Sequence, residues 1–105
     1  MSHTIAEETL VALRSSGERV RVTASLGSPY EVHPGEWACP VSLSGLYPQL
    51  PDVHGGSSLQ ALCLAASLLR QLLTNFVEGG GRLLHEDGAE PFSIASCFAR
   101  VGSQP

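Results

Sequence analysis

The chain has 105 residues, 43% apolar and 15% charged, with a net charge of −4, the composition of one globular domain and not of a disordered or fibrous chain. All six basic residues are arginines (Arg14, Arg19, Arg21, Arg70, Arg82 and Arg100), which excludes Schiff-base or phosphate-gripping lysine chemistry. Scattered through an acidic chain, they form no basic stripe of the kind that nucleic-acid binding needs.

The longest largely apolar run, Ala61 to Leu69, is interrupted by Ser67 and falls well short of the roughly 20 residues of a membrane span. The start, Met1 to Glu8, has neither a basic region nor an apolar region of the signal-peptide kind. Cys39, Cys63 and Cys97 are odd in number and widely spaced, which fits neither a disulfide framework nor a zinc pattern. Reduced thiols in the cytoplasm are the simplest account, so the expected location is cytoplasmic, with no membrane, nucleic-acid or cofactor partner.

Taken in chain order, Ile5 to Arg14 tolerates a strand, with Thr9, Val11 and Leu13 sharing one face. Ser15-Ser16-Gly17-Glu18 reads as a turn. Arg19 to Leu26 then alternates strictly: Val20, Val22, Ala24 and Leu26 face one way, Arg19, Arg21, Thr23 and Ser25 the other. This predicts a hairpin with one wet face. Gly27-Ser28-Pro29 ends the strand, and Pro29 to Glu36, with two prolines and a glycine, reads as a loop. Trp37 to Leu43 resumes the alternation with Trp37, Cys39, Val41 and Leu43 inward. Pro40 cannot donate to a ladder, so that strand must be an edge, bulged, or unpaired there. Gly45 to Gly56 reads as a loop, with Val53-His54 available for a short pairing.

The helix is the clearest element. Ser57 is a good N-cap and Gln60 completes a Ser-x-x-Gln capping box, while Gly79-Gly80-Gly81 stops the helix after about six turns. At about 100° per residue, Ala61, Leu62, Ala65, Ala66, Leu68, Leu69, Leu72, Leu73 and Phe76 fall on one half. That broad apolar half suits a helix laid across a sheet. Burial of each large aliphatic is worth roughly 1.5–3 kcal/mol. Leu64, between Gln60, Gln71 and Asn75, falls on the wet half, as does Cys63. Further on, Arg82 to His85 predicts one more short strand and Glu86-Asp87-Gly88 a turn. Pro91 to Ile94 and Cys97-Phe98 can pair or pack, and Gly102 to Pro105 are expected to be disordered. The fold class expected is therefore α+β, one domain over residues 1–105 with an ordered core of about 4–98. An antiparallel sheet of three to four strands, the N-terminal hairpin plus the Trp37 strand, packs on one long helix, with a short C-terminal strand.

No catalytic or metal set stands out. His33, His54 and His85 lack ligand spacing, so a metal site would need all three to converge in space. Cys39, inward beside Trp37, reads as a core residue. Glu7 and Glu8 are neighbours on a strand, point to opposite faces and cannot form an acid–base dyad. The turn His54, Gly55, Gly56, Ser57 and Ser58 offers free backbone N–H groups at a helix start, where an anion could sit, although the lysine of a phosphate loop is missing.

Three stretches carry a resemblance: Ile5-Ala6-Glu7-Glu8-Thr9-Leu10; Trp37-Ala38-Cys39-Pro40 followed by Ser44-Gly45-Leu46; and Gly55-Gly56-Ser57-Ser58-Leu59-Gln60-Ala61-Leu62-Cys63-Leu64-Ala65. Together they resemble a small uncharacterised bacterial family, a domain of unknown function. Its pattern includes a Trp-x-Cys strand and a Gly-x-Asp-x-x-Gln-Ala-Leu-x-Leu-Ala helix start. Ser57 stands where that pattern carries Asp; both residues cap helices. The resemblance implies no activity. The functional expectation is a non-enzymatic, cytoplasmic protein-interaction module, homodimeric or bound to another protein, with Leu64, Gln60 and Gln71 as contact residues. The alternative is a small anionic-ligand protein or enzyme using His54, Gly56, Ser57 and Ser58.

Overall fold

The computed structural model describes residues 3–98; the expected disorder of residues 102–105 lies outside them. Strands β1 (Thr4–Leu13) and β2 (Arg19–Gly27) form the predicted hairpin, in register from Leu13↔Arg19 to Ala6↔Leu26, with a bulge between Thr4 and Ala6. The turn closes with Gly17 N–H on the Arg14 carbonyl at 2.8 Å. Gly17 has φ +96°, a backbone that favours glycine. Alternation along both strands buries Leu10 and Ala12 against Val22 and Ala24.

Two short strands follow, β3 (Tyr30–His33) and β4 (Glu36–Cys39), joined through Pro34 and Gly35. The sequence reading placed Tyr30 to His33 in a loop. All four of those residues are exposed, so they carry no burial alternation by which a strand could be read. After Pro40 the chain continues as β5 (Val41–Ser44), which pairs with β2, and then β6 (Val53–Gly55), which pairs with β4.

The stretch Trp37 to Leu43 is thus two strands in two sheets. The main antiparallel sheet has the order β5-β2-β1-β7, where β7 is Arg82–His85, and the small sheet is β3-β4-β6. Pro40 is the corner. It gives up no N–H, and its carbonyl accepts from Gly27 N–H at 2.9 Å. A Cβ on Gly27 would lie 2.8 Å from the Pro40 ring, so a glycine is required for this approach. Trp37, expected in the main sheet, belongs to the small one.

Helix α1 (Ser58–Glu78) packs on the face of the main sheet that carries Leu10, Val22 and Leu43, and buries Ala61, Ala65, Leu69 and Leu73. Its start is a variant of the predicted capping box, with Gln60 reaching back to Gly56, one residue before the Ser57 N-cap. Ser57 Oγ accepts from Gln60 N–H at 3.1 Å, and Gln60 Oε1 accepts from Gly56 N–H at 2.5 Å. Its end is a Schellman motif: Gly81 N–H bonds the Phe76 carbonyl, Gly80 N–H bonds the Val77 carbonyl, and Gly80 has φ +106°. After β7 the chain turns at Asp87, whose carboxylate accepts from the N–H groups of Ala89 and Glu90. Those bonds hold its pKa below the ordinary carboxylate value. It then runs back along β7, with Phe92 N–H on the Leu83 carbonyl, and ends in one turn of helix, α2 (Ile94–Cys97).

The helix start is seated tightly on β6. A Cβ on Gly55 would lie 2.7 Å from Ala61 N, whereas one on Gly56 would meet only the Gln60 side chain. Gly55→Ala is therefore expected to destabilise the fold by about 1–3 kcal/mol through overpacking, and Gly56→Ala by less. Urea unfolding of both variants checks the order.

Candidate functional site

Two places carry more than packing. The first is the outward face of the small sheet. Tyr30, Ala38 and His54 are cross-strand neighbours, and His33 pairs with Glu36, so this register gathers polar residues far apart in sequence. One oxygen of Glu36 lies 2.7 Å from His33 Nε2, and the other accepts from His54 Nδ1 at 2.6 Å. Beside them the Tyr30 hydroxyl donates to Asp52. That hydrogen bond, which holds the proton on the Tyr30 hydroxyl, then desolvation and the Asp52 charge raise the Tyr30 pKa.

The structure therefore brings His33 and His54 together, but through a carboxylate that neither the spacing nor the composition flagged. His85 is elsewhere: it sits edge-on to Phe92, ring centroids 5.4 Å apart. The three histidines do not converge. Among the described residues no three His, Cys, Asp or Glu side chains are placed to hold a metal ion. A histidine oriented by a carboxylate is half of a general-base arrangement, yet no hydroxyl or thiol hydrogen-bonds to His54 among the described residues.

The turn beside it is partly satisfied by its own side chains. Of the backbone donors from Gly56 to Gln60 that an anion would use, those of Gly56 and Gln60 are already taken by the capping box. Ser57 spends its oxygen on the cap, and His54 faces Glu36. Capping thus occupies two of these five donors and the Ser57 oxygen, and leaves the N–H groups of Ser57, Ser58 and Leu59 at the open end of the first turn.

The second place is the N-terminal half of β1. Strand β7 pairs only with Leu10 to Leu13, so Thr4 to Thr9 is hydrogen-bonded to β2 on one edge and open on the other among the described residues. Beneath that open edge runs a groove of about 250 Å³, walled by Ala6, Leu26, Leu69, Leu73, Phe92 and Phe98. Glu8 lines it from the strand and Cys97 from α2. Among the described residues Glu7 and Glu8 make no ion pair within 4 Å, whereas Glu18, Glu36 and Glu86 each do. Glu8 pairs in register with buried Ala24 and so points to the groove face, while Glu7, opposite Ser25, points to the other.

The expected contact residues divide. Leu64 is exposed at 44% on the outer face of α1. Gln71 donates to the Asn75 side chain at 2.9 Å, and Gln60 is committed to the cap. Leu59 (68% exposed) and Val77 (41%) are also bare on α1, but they sit near opposite ends of the helix. Comparison with protein-family models, with curated proteins and with solved structures finds no match to this chain.

The thiols report on these surroundings. All three cysteines are free. Burial, then the Asp52 charge, raises the Cys39 pKa; burial, then the Glu8 charge, raises that of Cys97. A raised pKa leaves less thiolate at pH 8. An aromatic disulfide reagent at that pH should therefore modify exposed Cys63 first, Cys97 more slowly, and Cys39 only on unfolding. Glu8→Gln should accelerate Cys97 and leave Cys63 unchanged. A Cys97 rate unchanged by Glu8→Gln would contradict the placement of Cys97 beside Glu8.

Proposed function

We propose that this chain is a non-enzymatic, cytoplasmic protein-interaction module that receives an extended segment of its partner along the open edge of β1. The observation that carries the reading is the edge from Thr4 to Thr9, unpaired among the described residues and lying directly over an apolar groove. An exposed strand edge is a template for a further strand: its main-chain groups supply affinity, and a groove beside it selects alternate side chains.

Chemistry supports binding over catalysis. The cluster of titratable groups around Glu36 is closed on itself, with His33 within ion-pair distance and His54 hydrogen-bonded to the carboxylate. No helix among the described residues is long and apolar enough to cross a membrane, and three free thiols fit a reducing compartment. The resemblance to a bacterial domain of unknown function adds no activity. Its motif residues are occupied structurally here: Trp37 and Cys39 in packing, Gly55 in the helix seat, and Gln60 in the cap.

Ala6→Arg tests the reading, because Ala6 is exposed and an arginine there projects over the groove. Affinity capture from the native host is expected to recover a partner with the wild-type chain and with Leu64→Glu, and to lose it with Ala6→Arg at unchanged thermal stability. A partner retained by Ala6→Arg and lost by Leu64→Glu would move the interface to the outer face of α1.

A further inference from the structure

We infer that the segment seated on β1 is an extended strand carrying an adjacent pair of cationic residues within an otherwise apolar run; this rests on the reading of the β1 edge as the docking site. A strand added to Thr4–Thr9 sends its side chains alternately into the groove and over the opposite face. Neighbouring residues of that strand lie opposite Glu7 and Glu8, one on each face. Both carboxylates lack a cation within hydrogen-bond reach among the described residues, and β1 itself contains no basic residue between Thr4 and Leu13. Opposite charges directly across a strand pair are favourable and like charges unfavourable.

The same rule separates the occupants. A second copy of this chain, paired antiparallel through its own β1, would bring a second Glu7 and Glu8 up to the first pair. Four carboxylates would then crowd one junction with no arginine from β1 to offset them. A segment with two consecutive cations satisfies both faces at once. The groove walls, Leu26, Leu69, Leu73 and Phe98 among them, then take the apolar residue two positions along on the inner face. Charge selects the register, and apolar contact supplies the seat.

The probe is a short peptide, capped at both ends, of sequence Thr-Val-Arg-Arg-Val-Thr, with Thr-Val-Glu-Glu-Val-Thr as its charge reversal, titrated calorimetrically into the full chain at low ionic strength. The arginine peptide is expected to bind at least about tenfold more tightly than the glutamate peptide. Its affinity should fall about tenfold in Glu7→Gln/Glu8→Gln and weaken as salt is added. Glu31→Gln/Glu78→Gln, which removes as much charge elsewhere, should leave it nearly unchanged. Equal binding of the two peptides, no binding of either, or an equal loss in both double variants overturns the inference. If that happens while host capture still depends on Ala6, the docking edge stands and only the chemistry of its occupant is wrong. If capture is also insensitive to Ala6→Arg, the edge reading itself has failed.

Discussion

The arrangement depends on a mismatch of strand lengths. Strand β1 has 10 residues and β7 has 4, about 33 Å against about 13 Å at ~3.3 Å per residue. The short strand can satisfy only the Leu10–Leu13 half of the long one. One helix, about 10 Å across, must also cover a four-stranded sheet whose outer strands lie about 14 Å apart. It buries the β2 and β5 side together with Leu10 and Ala12 of β1, and lines the groove beside the N-terminal half of β1 with Leu69 and Leu73. The return of the chain through Phe92 to Phe98 closes the far wall. An open edge and an apolar groove are what these lengths leave over.

The rest of the fold makes that remainder stable. The core does not need the open half of β1, because Leu10, Ala12, Val22, Ala24, Leu43 and Leu83 already form a closed set with α1. The helix is fixed at both ends by its own chain, through the Ser57–Gln60 box and the triple-glycine terminator. Its start is further held by the seat of Gly55 on Ala61. Exposed strand edges invite aggregation, and charge at the edge is a common defence. Glu7 and Glu8 fit that defence. The same two charges that discourage self-pairing also define which partner strand fits.

The hairpin and the helix were legible in the sequence because each repeats a local signal: alternation in Val20 to Leu26, and caps and apolar spacing in Ser57 to Gly81. The split at Pro40 was not, because the inward alternation of Trp37, Cys39, Val41 and Leu43 runs unbroken through the corner. A residue faces the core on either sheet, so periodicity cannot report the change of sheet. Strand β3 is exposed on all four residues and left no pattern to read. Of the site features, the isolation of Glu7 and Glu8 on opposite faces followed from strand geometry alone. The Glu36 clamp required the register Ala38↔His54, and the groove required the length of β7; both are set by pairings distant in sequence. Leu64 was read correctly as exposed, but a bare leucine on a helix is common and does not by itself mark a contact.

Backbone amide exchange of the free protein, resolved residue by residue by NMR, tests the open edge most directly. The account predicts slow exchange throughout Leu10–Leu13, where both edges are paired, and alternation within Thr4–Thr9, where amides turned away from β2 exchange close to open-chain rates. Uniform protection from Thr4 to Leu13 would contradict it, since it would mean that the edge proposed for a partner is already covered.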